Sequence, residues 1–175
     1  IVFVREDKRY RTWVTTRKKA RNAAIFHLMD ISGSMDDAKK NVVRRTAFWL
    51  DLWIRRHYEN VDIRYIVHDT ESHEVDESLF YSITTGGGTM ISSALKLAGE
   101  IIEKDYPPAD YNIYVFAFSD GENWGTDKNV CGELLDILLP TLNLFCYGEI
   151  IGSGSVLFGG AWMRDGAFLP MLEAK

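Results

Sequence analysis

The order of elements predicts an α/β layer fold with a mostly parallel central sheet and one antiparallel edge strand. Three observations carry that prediction. Short apolar runs alternate with stretches of 3.6-residue periodicity along most of the chain. Two of those runs, "NAAIFHLMD" and "NIYVFAFSD", are the most apolar and read as a central pair of strands. Between them lie two strands separated by only three residues. That gap is too short for a parallel crossover, so they form an antiparallel hairpin.

Residues 22–30 form a short apolar run that ends at turn chemistry, hence a buried strand. From Asp37 to about Tyr58 the period becomes 3.6. Val42, Val43, Ala47, Trp49, Leu50, Trp53 and Ile54 share one broad arc, and Arg44, Asp51, Arg55 and Glu59 fall opposite, as in an amphipathic helix docked on a sheet. "VDIRYIVHD" (61–69) and "HEVDESLF" (73–80) are the hairpin strands. "YSITTGGGT" follows, then a helix from Met90 to Lys104 with the stripe Ile91, Leu95, Ala98 and Ile102, stopped by Pro107 and Pro108. After the strand 111–120 come a loop, a helix over 128–139 ended by Pro140, and the strand "NLFCYGEII". Residues 152–175 are Gly-rich at first and weakly helical at the end.

With 175 residues, 46% hydrophobic and 26% charged, the chain has the composition of one globular domain. A net charge of −5 supplies no general drive toward nucleic acid. Residues 1–21 are nonetheless a basic lead-in: Arg5, Lys8, Arg9, Arg11, Arg17, Lys18, Lys19 and Arg21 face only Glu6 and Asp7. No aromatic-and-glycine pattern accompanies the charge, so it reads as the flanks of a solvated strand, "YRTWVT", and nucleic-acid binding is the weaker alternative. Residues 22–175 are then the folded domain. Cys131 and Cys146 have no CxxC spacing and no paired His, which fits reduced thiols in the cytoplasm. No apolar run approaches the length of a membrane span. The chain begins at Ile1 rather than Met and reads as a piece of a longer protein, so the lack of a signal peptide decides nothing.

In open α/β sheets, ligands bind past the carboxyl ends of the central strands, where the strand order reverses. Asp30 and Asp120 end the central pair and therefore meet at one rim. As like charges they need a cation or a proton between them, and without one they repel. Ser32 and Ser34 flank Gly33 just after Asp30. The third strand ends at the opposite rim. About eight residues at about 3.3 Å each span a sheet, which returns Thr89 to the first rim, with Gly86, Gly87 and Gly88 permitting close backbone approach. Three hydroxyls and two carboxylates, without His or Cys, are hard donors suited to Mg²⁺, with Mn²⁺ or Ca²⁺ as lesser options.

Other readings of the same residues are weaker. "DISGS" taken alone is a turn capping the next helix, with Asp36 and Asp37 favouring its dipole; Thr89 and Asp120 tip the balance to a metal. The G-x-S-x-G elbow is absent, "TGGGTM" lacks the lysine of a P-loop, and "DGENWGTDKNVC" has Cys131 where a calcium loop closes with Glu. His68 and His73, five residues apart, fall on opposite faces of a strand. Trp124 and Glu122, in a polar loop beside Asp120, are candidate partner contacts, since aromatics are enriched in binding hot spots. No Lys, Arg or His lies within the three motifs, so the expectation is a domain without enzymatic activity. A Mg²⁺-dependent phosphoryl-handling enzyme is the alternative.

Asp30-Ile31-Ser32-Gly33-Ser34, then Gly87-Gly88-Thr89, then Ser119-Asp120-Gly121 resembles the metal ion-dependent adhesion site of von Willebrand factor A domains. The resemblance implies a Rossmann-like three-layer fold, direct ligation by the two serines and the threonine, and aspartates acting largely through water. It also implies a protein partner whose Asp or Glu completes the metal shell. "RYRTW", "MDISGSMDDAKK", "HDTESHEVDE", "GGTMISSALKLAGEIIEKDYPPADYNIYVFAFSDGENW" and "FCYGEI" further resemble the bacterial YeaH/YhbH family over about residues 8–150. That family implies a cytoplasmic protein associated with stress or sporulation, with a PrkA-type serine kinase or a SpoVR-like protein as candidate partners.

Overall fold

The computed structural model describes residues 20–152, apart from 85 and 124, and the strand 155–158. The elements run β1 (Ala20–Asp30), α1 (Asp37–Ile54), β2 (Tyr58–His68), β3 (Ser72–Val75), α2 (Glu77–Ser82), α3 (Ile91–Asp105), β4 (Asn112–Ser119), α4 (Asp127–Leu138), β5 (Leu144–Ile151) and β6 (Ser155–Phe158). They form one six-stranded sheet in the order β3-β2-β1-β4-β5-β6. β2, β1, β4 and β5 are parallel neighbours. The expected antiparallel edge strand is β3, paired with β2. A second, β6, pairs antiparallel with β5 at the other edge. Gly152 opens that hairpin at φ 57°, a backbone conformation that glycine adopts without a Cβ penalty. The lead-in strand, Trp124 and the C-terminal helix lie outside the described residues.

Alternation along the strands builds three layers. On β1, Ala24, Phe26 and Leu28 point to one face and pack with Val115 and Ala117 of β4 under α3 and α4. Ala23, Ile25 and Met29 point to the other and pack with Phe116 and Phe118 against Val43, Ala47 and Ile54 of α1 and Phe80 of α2. β1 and β4 are apolar or aromatic over 23–29 and 113–118, apart from His27, because both of their faces are covered. They are adjacent, with Met29 opposite Phe118, so Asp30 and Asp120 leave the sheet side by side at its carboxyl rim.

Two local readings change. The expected strand 73–80 stops at Val75, because Asp76 accepts the Leu79 N–H (2.8 Å) and caps α2. In α1, Asp51 lies inside and Trp49 and Trp53 lie outside, 64% and 58% exposed. The buried stripe is Lys40, Val43, Ala47, Asp51 and Ile54, at one edge of the expected arc. Asp51 tolerates the interior because His27 Nε2 meets its Oδ1 at 2.7 Å and the Tyr65 hydroxyl donates to its Oδ2 at 3.2 Å. His27, wholly buried in β1, stacks between Tyr65 and Phe116.

Candidate metal centre

The rim is assembled from three loops. The first follows β1: Asp30 is fully buried, its Oδ1 accepts the Ser32 N–H (2.7 Å) and its Oδ2 accepts the Ser119 hydroxyl (2.6 Å). These bonds fold the chain back so that Ser32 Oγ and Ser34 Oγ stand 3.2 Å apart. Two adjacent ligands of an octahedral cation with bonds of 2.0–2.1 Å are about 2.9 Å apart, and for Ca²⁺ about 3.4 Å. The serine pair falls between those spacings.

The second loop carries Thr89. Arg44 donates to the carbonyls of Phe80 and Ile83, and the buried Lys40 to that of Thr84, which fixes the returning chain on α1. The glycines then press onto the first loop: the Gly33 N–H donates to the Gly87 carbonyl at 3.0 Å. A Cβ on Gly86 would stand 2.7 Å from the Ile31 carbonyl oxygen, and one on Gly87 would stand 2.8 Å from Asp69 Oδ2. Met90 N–H, donating to the Asp69 carbonyl (2.7 Å), completes the clamp. Thr89, 6% exposed, lines a cleft of about 310 Å³ together with Ser32, Ser34, Gly88 and Glu122.

The third loop follows β4. Asp120, whose side chain is 5% exposed, accepts a hydrogen bond and ion pair from Lys39 Nζ at 2.9 Å. The same ammonium donates to the Ser34 carbonyl at 2.8 Å. This contact amends two expectations. Asp120 is charge-compensated rather than left to repel Asp30, and a cation does reach the rim from just outside the motifs. The available signal was positional: Lys39 sits in the first turn of α1, where the helix dipole disfavours a positive charge. A lysine placed there calls for a carboxylate.

Behind the rim, Asp127 ties α4 to the start of α3. Its Oδ2 accepts the Ser92 N–H (3.0 Å) and the Cys131 thiol (3.3 Å), and its Oδ1 accepts the Ser92 hydroxyl. Burial works to raise the Asp127 carboxyl, but these donors outweigh it and hold it below its usual range. Burial pushes the Cys131 thiol far up, with Asp127 adding to the effect. Burial also pushes the His68 imidazole below its usual range, against the pull of Asp30, Asp69 and Asp127. Neither His68 nor Cys131 adds charge to the rim at neutral pH.

Asp30, Ser32, Ser34, Thr89 and Asp120 therefore lie at one rim. Trp124 is outside the described residues, and Glu122 is exposed beside the cleft. Among the described residues no three His, Cys, Asp or Glu side chains gather as a metal cluster. The donors are chiefly hydroxyls, a set that fits a hard cation such as Mg²⁺. Cys131 and Cys146 are free, and no described helix is long and apolar enough to cross a membrane.

Sheet order and layers are those of the von Willebrand factor A fold. A crystal structure of an aerotolerance-related membrane protein from Bacteroides fragilis shares the fold, with a TM-score of 0.55 at 16% identity, covering 87% of each chain. The ArnB paralog VWA2 from Sulfolobus acidocaldarius is a more distant likeness, with a TM-score of 0.44 at 16% identity over 63% of this chain and 30% of that one. Residues 1–158 match the family described as "Protein of unknown function (DUF444)", and the chain belongs to that family. Its relatives include UPF0229 proteins of Serratia proteamaculans, 45% identical over 145 residues, and of Bacillus velezensis, 42% identical over 145 residues. These alignments take in 82% and 83% of this chain but 34% and 37% of the relatives. The chain thus spans about a third of the length of the curated relatives it matches.

Proposed function

We propose that this domain is a metal-dependent protein-interaction module. The supporting observation is the pair of serine hydroxyls 3.2 Å apart in one cleft with Thr89, on a loop that Asp30 holds directly and Asp120 through Lys39. Ser32, Ser34 and Thr89 would hold Mg²⁺ directly, with Asp30 and Asp120 acting through water; Mn²⁺ or Ca²⁺ are lesser occupants. When bound, the cation supplies a coordination position that an Asp or Glu of a partner protein can take from water. The chain's own groups orient that contact: Asp30 fixes the serine loop, the Gly86–Gly88 clamp delivers Thr89, and Glu122 borders the entrance. Candidate partners are a PrkA-type serine kinase and a SpoVR-like protein in a cytoplasmic stress or sporulation system. These candidates rest on the family resemblance, and the chain spans about a third of the length of the curated relatives it matches.

Capture of either candidate by the immobilised domain, with Mg²⁺ and with EDTA, tests the proposal. Binding is expected only with Mg²⁺ and is lost in Asp30→Ala. Binding that survives EDTA would refute the metal contact. Metal-dependent phosphatase turnover abolished by Asp120→Ala would replace the module with a phosphoryl-handling enzyme.

A further inference from the structure

We propose that Lys39 is a tethered counter-ion that competes with the divalent cation for Asp120 and so sets the metal affinity of the rim. The inference rests on the metal-binding reading above and adds a resident competitor to it. Lys39 Nζ contacts Asp120 Oδ2 at 2.9 Å and the Ser34 carbonyl at 2.8 Å, bridging the first and third rim loops. It touches one aspartate of the donor set and the backbone of one of its serines.

The placement is specific. Asp36 caps α1 by accepting the Lys39 backbone N–H at 2.8 Å, which fixes where the side chain starts. Side chains lean toward the N-terminus of their helix, here toward the rim. A cation in the first turn opposes the helix dipole, so the lysine is held there by Asp120 and the Ser34 carbonyl rather than by its own helix. The ammonium side chain is 17% exposed and its carboxylate partner 5%. The pair is thus shielded from the salt and water that make surface ion pairs weak. Its neighbour Lys40 is committed elsewhere, to the Thr84 carbonyl.

Asp120 would reach the cation through water. While Lys39 Nζ holds its Oδ2, the carboxylate is a weaker acceptor and the ammonium repels the divalent charge. Metal loading therefore favours the open pair. In the limit where only the open pair loads, the apparent metal affinity is the intrinsic affinity multiplied by the fraction of time the pair is open. With the pair closed about nine-tenths of the time, the apparent dissociation constant is raised about tenfold. A rim neutralised in this way is tolerated without metal, and it rejects cations too weak to displace the lysine.

The test measures Mg²⁺ and Mn²⁺ affinity by calorimetry for the wild type, Lys39→Met, Asp30→Ala and the remote charge control Lys96→Met. Lys39→Met should bind about tenfold more tightly than wild type, and Lys96→Met within about twofold of it. Equal or weaker binding by Lys39→Met, while the wild type binds and Asp30→Ala does not, would overturn the counter-ion and leave the metal site standing. An equal gain in Lys96→Met would also overturn it, as a general charge effect. Absence of binding in every form would overturn the metal site and the counter-ion together. A second measurement needs no variant: acetic anhydride footprinting of wild-type lysines with Mg²⁺ and with EDTA. Lys39 should become several-fold more reactive with Mg²⁺ while Lys96 does not change. Unchanged or reduced reactivity of Lys39 in protein that binds Mg²⁺ would overturn the proposal.

Discussion

Replacing Gly86 by alanine puts a methyl group 2.7 Å from the Ile31 carbonyl oxygen and 3.0 Å from the Ser32 backbone. Those atoms belong to the loop that carries Ser32 and Ser34, so they cannot rotate away as a side chain would. Relief requires the two loops to separate, which strains or breaks the 3.0 Å bond from Gly33 N–H to the Gly87 carbonyl. Overpacking of this kind costs about 1–3 kcal/mol, and the lost hydrogen bond about 1 kcal/mol. The less flexible unfolded chain returns roughly 0.4–1 kcal/mol. The net expectation is a loss of about 1–3 kcal/mol in urea unfolding of the metal-free protein. Gly87→Ala meets only the carboxylate end of Asp69 at 2.8 Å, a group that can turn, so it should cost less. Gly125→Ala meets nothing within 4 Å and should lie within about 0.5 kcal/mol of wild type. Gly86→Ala no less stable than Gly125→Ala would refute the reasoning that backbone contact between the two loops builds the rim.

Two further outcomes follow from burial behind the rim. His68 stays neutral in the fold because burial lowers its ionisation, while the unfolded chain takes up a proton as pH falls through about 6.5. Stability present above pH 7 should therefore decline toward pH 5, by at most about 1.4 kcal/mol per unit from this group. His68→Leu should flatten that decline in EDTA, and an unchanged pH slope would contradict a neutral buried His68. Cys131, fully buried with its thiol donating to Asp127, should not react with a disulfide reagent until the protein unfolds. Rapid labelling of Cys131 in the native protein would show that the α3–α4 junction opens.

The strands that matter most were legible because their chemistry is local. β1 and β4 carry apolar runs, broken only by His27 in β1, that end in Asp30 and Ser119-Asp120, and adjacency of the two strands brings those ends together. The glycine run before Thr89 was legible for the same reason, since close approach needs a missing Cβ. The short β3 was misjudged because "HEVDESLF" alternates well enough for a strand, and a single Asp76 cap outweighs that pattern. The rotation of α1 was hidden because Asp51 is buried by His27 and Tyr65 on other elements, which helical periodicity cannot register. Lys39 was hidden for a related reason. Its partner lies 81 residues away, and only its opposition to the helix dipole marked it.

A thermal melt with Mg²⁺ and with EDTA, on wild type and Asp30→Ala, addresses most directly whether the rim holds a divalent cation. Asp30→Ala should already be less stable in EDTA by about 1–3 kcal/mol, because the Ser32 N–H and the Ser119 hydroxyl lose their acceptor. The decisive quantity is the increment on adding metal. With an affinity of about 1 mM, about 10 mM free Mg²⁺ should stabilise the wild type by roughly 1.4 kcal/mol, a rise of about 3–6 °C for a chain of this size. Asp30→Ala should show almost none of that rise. Equal increments in the two proteins would place the cation elsewhere, and no increment in the wild type would contradict a metal-binding rim altogether.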